Sequence, residues 1–264
     1  MKKGLVVFFT TAFFASCGGD EQKAPTVNAD QREWLDKLSE QVKKNPDSAT
    51  VRMRLVNSLD SVGLYKEAIA QTDSLIKRDS INNGLWYTKA QLQENNKDTS
   101  GAIQSYRRAL RIYPSVDAQL SYANLLAEAK NPEALQVCRN VQNMRLGRET
   151  DAFSRFIAGV YFARTGDGKQ ALQLFDRAIN GNYTLMEAYM EKGFIYYESK
   201  NFAQALKTFE TAITVNNMYA DAYYWKAKCQ EAMGNKTEAV LNYKRSLGID
   251  KNLKEAKEAI DRLD

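Results

Sequence analysis

The pattern of apolar and polar positions in this chain repeats at a long interval. Four stretches align, GLYKEAIAQTDSLI (63–76), GDGKQALQLFDRAI (166–179), KNFAQALKTFETAI (200–213) and GNKTEAVLNYKRSL (234–247), each with alanine at its sixth place and an apolar residue at its last. Ala171, Ala205 and Ala239 are spaced by 34, as are Ala68 and Ala102; Ala134 completes a set of six, with one interval of 32 and one of 37. Self-similarity at such a period marks a stack of identical supersecondary units. Alternating β-branched runs are scarce while Ala, Leu, Lys, Glu, Gln and Tyr recur, so the units are expected to be helical.

Six units are predicted at roughly 49–82, 83–115, 116–148, 152–185, 186–219 and 220–253. A further helix, QREWLDKLSEQVKKNP, precedes them. Another, in NLKEAKEAIDRL (252–263), follows as a cap at 254–264, polar on one side as a cap on an open end must be. The third unit is one residue short in its turn, and QNMRLGRETD (142–151) interrupts the period before the fourth.

This organisation resembles the tetratricopeptide repeat, a helix–turn–helix unit of 34 residues. The resemblance implies an all-α, α/α superhelical solenoid of about six units over 31–264. The family places small residues where helix A crosses helix B, and Val56, Ala90, Ala123, Gly159, Gly193 and Ala227 stand there, facing the six alanines of helix B. The family's large packing position holds Thr72, Tyr106, Cys138, Phe175, Phe209 and Tyr243. Pro46 and Pro114, two periods apart, stand where its helix B closes.

RTGDGKQAL (164–172) has the look of a phosphate loop. That motif needs GxxxxGK followed by Ser or Thr, and here Ala163 replaces the first glycine and Gln170 the hydroxyl. The repeat accounts for the stretch instead. Gly166 ends helix A in a left-handed cap, as do Gly63 and Gly234. Asp167 caps helix B, like Asp98, Asn131, Asn201 and Asn235.

Composition narrows the chemistry. The chain has 264 residues, 44% hydrophobic and 26% charged, and no histidine. A His-dependent triad and an HExxH zinc site are thereby excluded. Cys17, Cys138 and Cys229 form no CxxC pair. No enzyme activity, cofactor or metal is expected.

The N-terminus reads as an address. Lys2 and Lys3 precede 11 apolar-rich residues (4–14), too few to span a bilayer. Phe-Ala-Ser-Cys at 14–17 resembles the lipobox of bacterial lipoproteins, which implies a signal peptide at 1–16, cleavage before Cys17 and lipidation of Cys17. Residues 17–30 then form a lipidated, flexible tether. Removing 1–16 lowers the net charge from +5 to +3 (35 basic against 32 acidic), a balance that gives no case for nucleic acid. The expected location is the cell envelope, lipid-anchored at the outer membrane.

By the family's pattern the inward-facing positions of helix A are the second, fifth, ninth, twelfth and thirteenth. The protein-binding groove is therefore expected to use Met53, Asn57, Tyr87, Gln91 and Asn124 in the first three units. In the last three it is expected to use Phe153, Phe156, Met190, Phe194, Tyr197, Tyr224 and Lys228. Asn57, Gln91 and Asn124 form an amide ladder suited to a peptide backbone. Phe153, Phe156, Met190, Phe194 and Tyr197 form an aromatic, soft surface suited to a partner helix or strand. The fifth positions hold no lysine, so a carboxylate clamp for chaperone tails is not expected. The function expected is a membrane-anchored adaptor for envelope proteins in assembly or secretion. The alternative is a surface lipoprotein that stacks glycan or peptidoglycan on the groove aromatics.

Overall fold

The computed structural model describes residues 27–263; the expected signal peptide, Cys17 and most of the tether lie outside the described residues. Within them the chain is all-α, fourteen helices with no strand. It divides into an N-terminal unit, residues 1–125, and a C-terminal unit, residues 126–264. The helices fall where the period places them. In the N-terminal unit they are α1 (Ala29–Lys44), α2 (Ala49–Ser61), α3 (Tyr65–Arg78), α4 (Asn83–Asn95), α5 (Thr99–Ile112) and most of α6 (Val116–Glu128). The C-terminal unit holds the end of α6 and then α7 (Glu133–Asn143), α8 (Arg148–Thr165), α9 (Gly168–Gly181), α10 (Met186–Glu198), α11 (Phe202–Val215), α12 (Ala220–Ala232), α13 (Lys236–Ile249) and α14 (Lys254–Leu263).

Each A-to-B turn closes the same way. Its apex has positive φ at Gly63, Lys97, Lys130, Gly166, Lys200 and Gly234, and the following amide returns to the helix just ended, as Asp167 N does to Phe162 O at 2.9 Å. Three apices are glycine, for which left-handed φ costs nothing; three are lysine. Asp167 then caps α9 by accepting from Gln170 N at 3.0 Å, and Asp98 caps α5 by accepting from Gly101 N at 2.9 Å. GDGK is a helical corner. Asn131 departs from the expected pattern, since it accepts from Glu133 N and the cap position falls on Pro132. Asn235 occupies its cap position without a side-chain bond.

Packing runs between sequence neighbours in each unit: α1 on α2, α2 on α3, α3 on α4 and α4 on α5, then α7 on α8 through to α13 on α14. The crossings are tight at the small residues. A β-carbon on Gly193 would sit 2.4 Å from the Phe209 ring, and one on Gly159 would sit 2.6 Å from Phe175. Both phenylalanines are fully buried. Salt bridges join helix B to the next helix A at a fixed separation of 16 residues: Lys89–Asp73 (2.6 Å), Lys192–Asp176 (2.5 Å) and Lys226–Glu210 (3.0 Å). The interruption at 142–151 resolves into a four-residue connector and an early helix start. α8 begins at Arg148 rather than 152 and runs for 18 residues.

Candidate functional site

The expected groove residues separate by burial. Met53, Tyr87, Gln91, Phe153, Phe194, Tyr197 and Lys228 are half-buried and Asn57 is exposed. Phe156, Met190, Tyr224 and Asn124 are buried, at 0%, 5%, 8% and 9% exposure, so as surface residues they are corrected. The reason is common to three of them. The fifth position of helix A packs under the large residue 19 positions later on helix B. Tyr87 meets Tyr106 at 5.8 Å between centroids, Phe156 meets Phe175 at 5.7 Å and Tyr224 meets Tyr243 at 5.5 Å. Met190, at the same position, joins Phe209 in one core cluster. In units four to six the fifth position therefore serves the core.

In the N-terminal unit the amide ladder is not a bonded chain. Gln91 Nε2 donates to Tyr87 Oη at 3.2 Å, and Tyr87 Oη lies 3.3 Å from Ser121 Oγ. Asn124 Oδ1 is buried with no hydrogen-bond partner among the described residues. Met53 and Asn57 instead line a cavity of about 640 Å³ together with Arg54, Arg78 and Leu85. In α4, burial pushes Glu94 up to about 7 even though Tyr106 Oη donates to its carboxylate.

The C-terminal unit assembles a denser site. Phe194 and Tyr197 on α10 converge on Trp225 of α12, with centroids at 4.8 and 5.3 Å. Lys228, one turn along α12, holds its ammonium 5.1 Å from the Trp225 centroid and 5.8 Å from those of Tyr197 and Tyr224. This cation faces three rings. Beside it a second cavity of about 640 Å³ is walled by Tyr197, Tyr224, Lys228, Tyr243 and the α14 residues Glu255, Glu258 and Arg262. Arg262 donates to both oxygens of Glu231, at 2.5 and 3.2 Å, and Tyr243 Oη donates to the same carboxylate at 2.8 Å. These bonds hold Glu231 below the usual carboxylate range. Burial pushes the Tyr224 hydroxyl up to about 12, so it remains a donor at any physiological pH. Farther along the same unit, Arg164 of α8 chelates two carboxylates. It contacts Glu128 at 2.8 and 3.0 Å and Glu191 at 2.9 and 2.8 Å.

Trp225 and the Arg164 cluster were not among the expected residues. Arg164 and Glu128 stand at the thirteenth position of units four and three, so the inward-position rule contained them. Trp225 occupies the sixth position, outside that rule. Its only signal is the spacing of three large aromatics, Tyr223 to Trp225, on one helix turn. Cys138 and Cys229 are buried free thiols, each pushed up to about 12 by burial.

The tetratricopeptide-repeat family profile matches residues 53–117 and 191–253, just under half of the chain, and these stretches carry tetratricopeptide repeats. Solved structures extend the likeness in fold. A tetratricopeptide repeat protein from Parabacteroides merdae superposes with a TM-score of 0.70 at 18% identity, over 89% of this chain and 92% of that one. PilW, a widely conserved type IV pilus biogenesis factor, gives 0.61 at 18% identity, over 88% and 99%. Yeast Tom70 gives 0.59 at 16% identity, over 88% of this chain and 58% of that one. No curated protein matches. The protein has an all-α helical-repeat fold of the tetratricopeptide type, an architecture suited to scaffolding protein–protein interaction.

Proposed function

We propose that the protein is a membrane-anchored scaffold, held in the cell envelope through acylated Cys17, that captures a segment of an envelope protein on its helix-A faces. The observation that carries the binding half of this reading is the Phe194–Tyr197–Trp225 shelf with Lys228 above it, beside an open cavity of about 640 Å³. Half-exposed rings, next to an ammonium that forms no ion pair among the described residues, form an anchor site of the kind that dominates interface energetics. The anchoring half rests on the sequence of residues 1–17. The pilus biogenesis role in the name of the PilW neighbour is compatible with an envelope assembly task. We read the protein as a binding protein rather than an enzyme.

In-cell crosslinking with mass spectrometry on the full chain, against a Tyr197→Ala/Lys228→Ala variant, tests the reading. A stoichiometric envelope partner recovered with the wild type and lost with the variant is expected. An unchanged partner set in the variant would refute the site. The tyrosine-walled cavity also favours a second reading, a glycan stacked on Tyr197 with the Tyr224 hydroxyl as a donor in the wall. Oligosaccharide binding abolished by the same variant, with every protein crosslink retained, would select it.

A further inference from the structure

The connectors that lead from helix B to the next helix A lie at one end of their helices, and in the N-terminal unit two of them each expose a large apolar side chain among polar neighbours. Ile81, in the connector 79–82, is 75% exposed, and Tyr113, in the connector 113–115, is 61% exposed. Next to the first of these connectors stands Trp86, half-buried in the first turn of α4. Its Nε1 donates to Ser80 O at 3.0 Å, and the Arg108 guanidinium lies 5.8 Å from its ring centroid. The last turns of the B-type helices bring cations to the same end. Lys44, Lys77, Arg108 and Arg111 are exposed and have no carboxylate partner among the described residues. Arg78 pairs with Asp47 at 2.9 Å. Against these five cations stand Asp47, Asp79 and Asp117, an excess of two positive charges. Tryptophan, tyrosine and an exposed aliphatic side chain ringed by arginine and lysine are the residue set that settles at a bilayer interface, with the cations at anionic headgroups.

We propose that this connector edge of the N-terminal unit docks on an anionic phospholipid surface. The inference rests on the reading of Cys17 as a membrane anchor. The reach permits it. α1 starts at the opposite end from the connectors, and its 16 residues span about 24 Å, while residues 18–28 extend to at most ~39 Å. The C-terminal unit also exposes apolar connector residues, Tyr183 at 70% and Met218 at 67%, but without unpaired arginine or lysine flanking both, and the proposal does not extend to it.

The test uses the full acylated chain reconstituted in vesicles of phosphatidylglycerol and phosphatidylcholine. An environment-sensitive fluorophore is placed on Ser80→Cys or, at the opposite end, on Lys97→Cys; the buried Cys138 and Cys229 stay unlabelled. A blue shift with loss of iodide quenching is expected at position 80 only. It should disappear in phosphatidylcholine alone and in Lys77→Glu/Arg111→Glu. Vesicle-bound protein with a water-exposed probe at 80 would overturn the docking edge and leave the anchor standing. A shift seen only in native membranes, not in protein-free vesicles, would likewise overturn it in favour of a protein partner. Wild-type chain left in the supernatant would overturn both anchor and edge.

Discussion

Three of the six A-to-B turns force lysine into the left-handed region, at φ 63° for Lys97, 57° for Lys130 and 59° for Lys200. Their glycine counterparts at Gly63, Gly166 and Gly234 reach 79°, 91° and 83°. The lysine side chains are exposed and make no ion pair among the described residues, so truncating them removes none. Left-handed φ costs a β-carbon-bearing residue about 1–2 kcal/mol. Glycine recovers that strain and gives back roughly 0.4–1 kcal/mol through the larger entropy of its unfolded chain. Lys97→Gly, Lys130→Gly and Lys200→Gly should therefore each stabilise by about 0.5–1 kcal/mol. The triple variant should gain about 1.5–3, because the sites lie in separate repeats and share no partner. Urea unfolding followed by circular dichroism at fixed ionic strength measures it, with Gly166→Ala as the opposing control, expected to lose about 1 kcal/mol. The turns repeat one geometry, so the sign must be common to all three. Neutral or destabilising glycines, with Gly166→Ala tolerated, would show that the apices are not strained and that the turn argument is wrong.

Three further outcomes follow from the site. Glu94 has its pKa raised by burial to about 7, so its protonated form favours the fold. Its contribution is complete below the unfolded value near 4.5 and is lost as pH rises through 7, a change of at most roughly 3 kcal/mol; Glu94→Gln should flatten that slope in denaturation curves taken from pH 5 to 8. Arg164→Met leaves Glu128 and Glu191 partly buried and facing one another, and should cost about 2–4 kcal/mol. Glu191→Gln, which leaves Arg164 paired to Glu128, should cost much less, and equal losses in calorimetry would contradict the account. Phe156→Ala should destabilise by about 3–5 kcal/mol without changing which partner is crosslinked, whereas Tyr197→Ala should reverse that pattern.

The repeat frame was legible because it is local. The 34-residue spacing, the caps at Asp98 and Asp167 and the small residues at Gly159 and Gly193 each depend on contacts within a helical pair, and the helices stand where these signals put them. The groove was legible only in part. A residue's face on its helix follows from spacing, but whether that face is open depends on what stands beneath it. Phe156 and Phe153 are three residues apart in one helix, and only Phe156 lies under the ring of Phe175. Asn124 has no such aromatic at 19 residues' distance, and no single contact accounts for its burial. Trp225 was missed for the converse reason: its ring reaches sideways to Phe194 and Tyr197, a contact between successive A helices that no rule of position within one unit records. The start of α8 at Arg148 was hidden because the interrupted period offered no register there.

The cavity beside Lys228 has the final helix as one of its walls. α14 contacts α13, is the last helix among the described residues and contributes Glu255, Glu258 and Arg262 to the lining. In a stack held by nearest-neighbour contacts the end helix opens first and at the lowest free energy. Occupancy and fraying are thereby linked equilibria. A ligand that touches α14 draws the open end shut by its own binding free energy, and a loosened end lowers apparent affinity by the fraction of molecules in which that wall is missing. Amide exchange in α14 thus reports on the cavity as directly as any probe within it, and a proteolytic nick just before Lys254 would act as a dimmer on binding rather than as damage to the fold.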